Sequence, residues 1–316
     1  MEYIYLLICL LAIVFSADWL VAGAVTIAKR FKISDFVIGA VIIGVGTSFP
    51  ELVVSSIGAI GGNSDIAIGN VVGSNIFNVM GILGLTALIM PVAVSRENMR
   101  FDIPLCIVLS VLSMLLSFNF FLGGEAVLGR VDGLILLACF ATFMYFSLKS
   151  GKSTAVTSES NEEVTNKQLT LGIGKVVLGL GALIVSSRIF LDNAIIIAKA
   201  WGVNEAFIAI TLVACGTSLP ELAASLVAAA KKNTQLALGN VIGSNIFNLS
   251  LILGLASQIT PLTNRGITAI DYAVMISAAI IPLALGFKGK LNRWAGAFLF
   301  LCFVAYNGYL LYTQMN

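Results

Sequence analysis

The chain has 316 residues, 59% of them hydrophobic and 11% charged, with a mean hydropathy of +1.00. A soluble globular domain has about 45–50% apolar and about 25% charged residues, so this composition excludes an ordinary water-soluble enzyme. A net charge of +2 without basic patches excludes nucleic acid as a partner, and the absence of histidine excludes triads and His-ligated zinc.

Because about 20 apolar residues cross a bilayer as one helix, the length leaves room for roughly ten spans. In chain order the apolar runs predict helices at 3–28, 36–60, 65–91, 102–121, 127–148, 170–198, 206–230, 234–259, 269–286 and 292–313. The first run lacks a basic leader and a small-residue cleavage site, and reads as a retained span. Thirteen of the 18 Lys and Arg fall in the loops after spans one, three, five, seven and nine. This bias predicts that both termini are extracytoplasmic and that the 149–169 loop is cytoplasmic. That loop is rich in Ser, Thr, Glu and Asn and reads as a flexible linker between two five-helix halves, 1–148 and 170–316. The five cysteines lie apart in apolar runs, without a CxxC, and read as small core residues.

The halves repeat each other. A shift of 170 residues lays GTSFPEL (46–52) on GTSLPEL (216–222), and GNVVGSNIFN (69–78) on GNVIGSNIFN (239–248). Across 46–85 against 216–255 there are 23 identities in 40 positions without a gap, concentrated at polar and glycine positions. Five spans per copy is an odd number, so the second copy enters the membrane upside down. The expected fold class is therefore an all-α polytopic membrane protein, ten helices in two inverted repeats. Transporters are built this way, with sites at the midplane.

Glu51 and Glu221 lie near the middle of spans two and seven, at equivalent repeat positions. A carboxylate there costs at least about 2.5–3.5 kcal/mol. Each follows a proline, which lacks an N–H and clashes with the carbonyl four residues back, so both helices should kink and release backbone oxygens at Gly46 and Gly216. Thr47 and Ser48 precede Glu51 by four and three residues and are expected on its helical face, as are Thr217 and Ser218 before Glu221. Spans three and eight add Asn70, Ser74 and Asn78, and Asn240, Ser244 and Asn248, each four apart. Gly69 with Gly73, and Gly239 with Gly243, form GxxxG pairs suited to close helix approach. Carboxylate, hydroxyl, amide and carbonyl oxygens suit hard cations such as Ca2+. The isolated Ser, Thr and Asn residues also fit a second role, as hydrogen bonds between helices.

These motifs resemble the two alpha-repeats (44–85 and 214–255) of the cation/Ca2+ exchanger superfamily, on its prokaryotic Na+/Ca2+ exchanger side. The resemblance implies a Na+/Ca2+ antiporter of the cell inner membrane that works by alternating access and needs no cofactor. It implies a central Ca2+ held by the carboxylates of Glu51 and Glu221 and backbone oxygens of Thr47 and Thr217. One flanking Na+ would use Glu51, Ser74, Ala214, Thr217 and Ser218. Its mirror would use Glu221, Ser244, Gly44, Thr47 and Ser48, with Asn78 and Asn248 completing the middle. H+-coupled relatives carry Asn where this chain has Thr47 and Thr217, which disfavours proton coupling. K+-dependent relatives carry Asp at the position of Asn248, which disfavours K+ co-transport. Exchange of three Na+ for one Ca2+, the family's usual ratio, would be electrogenic.

The expected partners are the two ions and the bilayer, with no obligate protein partner evident. An H+-coupled cation antiporter and a cation channel are the alternatives; an intramembrane enzyme is disfavoured by the lack of His and of paired aspartates. Spans one and six are long, stand outside the polar cluster and are expected to slide across it. Arg188 and Asp192 are expected to pair. Asp18 has no obvious local partner and is a candidate cavity-lining residue. Asp102 and Asp271 are expected to cap helix N-termini.

Overall fold

The computed structural model describes residues 2–120, 125–150, 164–201 and 214–315. Its helices are α1 (Glu2–Phe31), α2 (Asp35–Thr47), α3 (Phe49–Ile60), α4 (Ser64–Ile89), α5 (Asn98–Ser117), α6 (Arg130–Lys149), α7 (Asn166–Ala200), α8 (Ala214–Gly216), α9 (Leu219–Ala230), α10 (Thr234–Ile259), α11 (Ala269–Lys288) and α12 (Arg293–Thr313). Among the described residues, eight helices are long and apolar enough to cross a membrane, and α2 with α3 makes a ninth, bent by 45°. The chain is an all-α polytopic membrane protein, as its hydropathy requires: in hydrocarbon only a helix satisfies every backbone group within one segment. Most of the expected linker, and the expected start of span seven at 206–213, lie outside the described residues.

The helix starts follow local chemistry, with one correction. Thr268 is the N-cap of α11, and Asp271 three residues on completes a capping box: its carboxylate accepts the Thr268 N–H at 2.8 Å. Asp102, expected to cap, does not. Its helix begins four residues earlier, at Asn98, and the buried Asp102 carboxylate accepts from Asn98 Nδ2 at 2.9 Å. A polar first turn had hidden that earlier start.

α4 and α10 are the central helices, with 78% and 94% of their apolar windows buried. α2 runs parallel to α10, because Phe36, Ala40 and Gly44 meet Gly239, Gly243 and Ser244 in that order. The C-terminal part of each central helix packs on the last helix of the other half. Gly84 lies against Gly296 and Phe300, and Gly254 against Gly133 and Leu137. Two short antiparallel pairs repeat this exchange: β1 (Val92–Ala93) with β4 (Lys290–Leu291), and β2 (Val127–Leu128) with β3 (Leu262–Thr263). The halves are thus interlocked rather than juxtaposed.

α1 and α7 lie together outside this core and run antiparallel. Gly23 packs on the Gly172 carbonyl, and Gly179 on the Ser16 and Leu20 backbones. Only 33% and 22% of their apolar windows are buried. Asp18 proves to have a partner, far away in sequence: Lys231 Nζ, just past α9, lies 2.7 Å from its Oδ1. The expected Arg188–Asp192 pair forms at 3.2 Å.

Candidate cation-binding site

Both Pro–Glu motifs break their helices. Pro50 gives Gly46 no N–H, Ser48 leaves helical geometry (φ −82°, ψ 9°), and α3 restarts at an angle. Ser218 does the same (φ −91°, ψ 14°) between α8 and α9. Each break leaves its glutamate in the first turn of a new helix, Glu51 in α3 and Glu221 in α9. That is the end of the helix dipole that favours an anion. Both glutamates are fully buried.

The breaks also redirect the preceding hydroxyls. Thr47 and Ser48 do not share a helical face with Glu51, as an unbroken helix would require. Ser48 Oγ reaches across to donate to Glu221 Oε1 at 2.9 Å, and Ser218 Oγ donates to Glu51 Oε1 at 2.7 Å. Each carboxylate is therefore held by a serine of the opposite half.

The asparagines divide into two sets. Asn70 and Asn240 lie one helical turn before Ser74 and Ser244 and turn their amides toward the restarted helices. Their Nδ2 atoms donate at 3.1 Å to the backbone carbonyls of Glu51 and Glu221, and at 2.9 Å to Ser55 and Ser225. They brace the restarted helices. Asn78 and Asn248 occupy equivalent π-helical turns, Phe77–Leu83 and Asn248–Ile252, which shift the helical phase at the site. Both are fully buried.

Gly44, Thr47, Ser48, Ser244 and Glu221 form one connected group. The Gly44 carbonyl accepts from Ser244 Oγ at 3.2 Å, from Thr47 Oγ1 at 3.4 Å and from the Ser48 N–H at 3.1 Å. Thr47 Oγ1 also contacts Asn240 Oδ1 at 3.3 Å. On the opposite side, Ser218 joins Glu51, while the hydroxyls of Ser74 and Thr217 have no hydrogen-bond partner among the described residues. Ala214 opens α8, directly after the segment outside the described residues.

Buried polar atoms without partners are rare in folded proteins and need a reason. Among the described residues, six of the nine such side-chain atoms belong to the candidate site residues. Glu51 Oε2, Glu221 Oε2, Asn78 Oδ1, Asn248 Oδ1, Ser74 Oγ and Thr217 Oγ1 are all buried and unpaired. Four of the six can only accept. Among the described residues no cluster of three or more His, Cys, Asp or Glu exists, so the charge comes from the two glutamates and the remaining donors are neutral oxygens. Such a set fits a hard cation.

Asn75 and Asn245 belong to the same network and are absent from the sequence-derived set. Asn245 Oδ1 accepts from Asn78 Nδ2 at 3.0 Å, and Asn75 Oδ1 accepts from Asn248 Nδ2 at 3.3 Å. Their place inside both copies of GSNIFN was the available signal.

A polytopic helical membrane protein with two buried, cross-held carboxylates among neutral oxygens at paired helix breaks fits the class of membrane proteins that move cations. Comparison with known proteins narrows the class. The chain belongs to the sodium/calcium exchanger family: the profile described as "Sodium/calcium exchanger protein" matches residues 1–149 and 171–312. The chain is 36% identical to the "Putative antiporter CaxA" of Alkalimonas amylolytica, covering 98% of each. It is 34% identical to the "Sodium/calcium exchanger MaX1" of Methanosarcina acetivorans, covering 98% of this chain and 99% of that one. Its structure is similar to that of the sodium-calcium exchanger NCX_Mj, with a TM-score of 0.83 at 30% identity over 96% of this chain and 97% of that one. The protein is thus a cation/Ca2+ exchange transporter and not an enzyme.

Proposed function

We propose that the protein exchanges Na+ for Ca2+ across the cytoplasmic membrane, electrogenically, at a site built on Glu51 and Glu221. The observation that carries this reading is that the two buried carboxylates are cross-held by Ser48 and Ser218, and that one oxygen of each, with four oxygens of Asn78, Asn248, Ser74 and Thr217, has no partner among the described residues. Two carboxylates give the site a charge of −2. One Ca2+ neutralises it, as do two Na+, and a third Na+ leaves +1. Three-for-one exchange then moves one net charge per cycle, worth about 2.3 kcal/mol per 100 mV. A bare −2 site is costly to carry through an occluded state of low dielectric. Loading therefore gates the change of face, and exchange is obligatory. Ca2+, Na+ and protons compete for the same glutamate oxygens.

Ca2+ is read as bound between the carboxylates with the backbone oxygens of Thr47 and Thr217. One Na+ lies with Glu51, Ser74, Ala214, Thr217 and Ser218, and another with Glu221, Ser244, Gly44, Thr47 and Ser48. Asn78 and Asn248 face the middle. The membrane architecture is read as ten spans in two inverted five-helix repeats, 1–148 and 170–316, with the 149–169 linker and the basic loops in the cytoplasm and both termini outside. The antiparallel pairing of α1 with α7, which are equivalent in the repeat, supports the inversion.

The test is 45Ca2+ uptake into proteoliposomes loaded with Na+, against matched vesicles loaded with K+, for the parent chain and for Glu51→Gln and Glu221→Gln. The reading requires uptake only with internal Na+, lost in either variant. Uptake that follows a pH gradient would move the protein to H+ coupling, and continuous single-channel current would make it a channel.

A further inference from the structure

An asparagine at a cation site can help or harm. Its Oδ1 offers a lone pair, whereas its Nδ2 offers two N–H groups that repel the ion. The side chain itself does not choose between them, because the two orientations have nearly the same shape. A neighbour must choose.

For Asn78 the choice traces back to a backbone atom. The Asn75 backbone carbonyl accepts from Asn245 Nδ2 at 3.2 Å. A carbonyl can only accept, so the Asn245 amide has one allowed orientation. Its Oδ1 therefore faces Asn78, where it accepts from Asn78 Nδ2 at 3.0 Å. The Asn78 amide is fixed in turn, and its Oδ1 is left buried and unpaired. The Asn248 arm is built differently. Asn248 Nδ2 donates to Asn75 Oδ1 at 3.3 Å, but among the described residues the Asn75 Nδ2 that sets this orientation hydrogen-bonds only to Met275 Sδ, at 4.0 Å. A thioether is a weak acceptor. Asn75, Asn245 and Met275 are all at most 2% exposed, so water does not compete.

We propose that Asn245 and Asn75 are positioning residues: each sets the amide orientation of a site asparagine in the opposite half, firmly for Asn78 through the Asn75 carbonyl and softly for Asn248 through Met275. This rests on the reading that Asn78 and Asn248 face the transported cation. Each half thus aims a donor oxygen belonging to the other, and the two donors differ in stiffness although their sequences are equivalent.

The experiment is a pair of double-mutant cycles read by the Ca2+ dependence of 45Ca2+ uptake and by the Ca2+-induced rise in thermal stability of the purified protein. Asn245→Leu frees the Asn78 amide and should weaken apparent Ca2+ affinity about tenfold, the worth of one hydrogen bond. In an Asn78→Asp background both terminal atoms are oxygens and orientation no longer matters, so Asn245→Leu should there change affinity less than about twofold. Met275→Leu conserves volume, so folding is retained. It should weaken Ca2+ binding in the parent chain and not in Asn248→Asp. If Asn245→Leu fails to fold, the Met275 cycle decides alone. Equal losses in both backgrounds, or no loss in either, overturn the proposal and leave these residues a packing role. Failure of the parent chain to bind or move Ca2+ refutes instead the functional reading beneath it.

Discussion

Gly239 lies where α10 crosses α2, and a methyl group there has nowhere to go. A Cβ at this position would overlap the Phe36 carbonyl oxygen and stand 2.9 Å from its carbon. These are backbone atoms, so no rotamer change relieves the contact and the two helices must separate. Overpacking of this kind costs about 1–3 kcal/mol. α10 also carries Ser244 and Asn248, so separation withdraws two site oxygens from the opposite half. Gly239→Ala should therefore lower both the melting midpoint of the purified protein and its Ca2+ uptake. Gly181 in α7 is the control, because a Cβ there meets nothing within 4 Å. Gly181→Ala should be neutral or raise stability by up to about 1 kcal/mol through helix propensity. Thermal denaturation followed by size-exclusion chromatography measures both variants. An unchanged midpoint and unchanged uptake for Gly239→Ala would refute the close-approach argument.

Four further outcomes follow from named contacts. Ser218→Ala and Ser48→Ala each remove a buried hydrogen bond to a carboxylate of the opposite half, worth about 1.5–3 kcal/mol. Both should shift the Na+ dependence of uptake by about ten- to a hundredfold, and a shift in only one would contradict the cross-held pair. Lys231→Ala removes a partly exposed ion pair and should lower stability by no more than about 1 kcal/mol, measured by the same denaturation. Thr268→Ala deletes the α11 cap and should cost about 0.5–2 kcal/mol, read as a lower melting midpoint. If α1 slides across the core, a reducible crosslink between Asp18→Cys and Lys231→Cys in a cysteine-free background should stop uptake, and reduction should restore it. Full transport while crosslinked would refute the sliding.

Much is legible in the amino-acid sequence, because the strongest signals are local or repeated. Hydropathy alone located the crossing helices seen among the described residues, since hydrocarbon leaves the backbone no other solution. Pro50 and Pro220 marked both breaks, because a missing N–H acts within one turn. The 170-residue repeat linked Glu51 to Glu221, although nothing in either half says which atoms face the other.

That second kind of information belongs to the tertiary structure. Helical spacing assigned Ser48 to the face of Glu51, but the break that the same sequence predicted sends it to Glu221. Asp18 had no partner within a helical turn because Lys231, 213 residues away, supplies one. Asn75 and Asn245 stood in plain view within the repeat, but their role depends on the fold that brings Asn75 against both Asn245 and Asn248. Composition and near neighbours were enough for the membrane class, the two breaks and the kinds of side chain available to a cation. Only the packing of one half against the other decided which oxygen meets which carboxylate, because that depends on distances between residues about 170 positions apart.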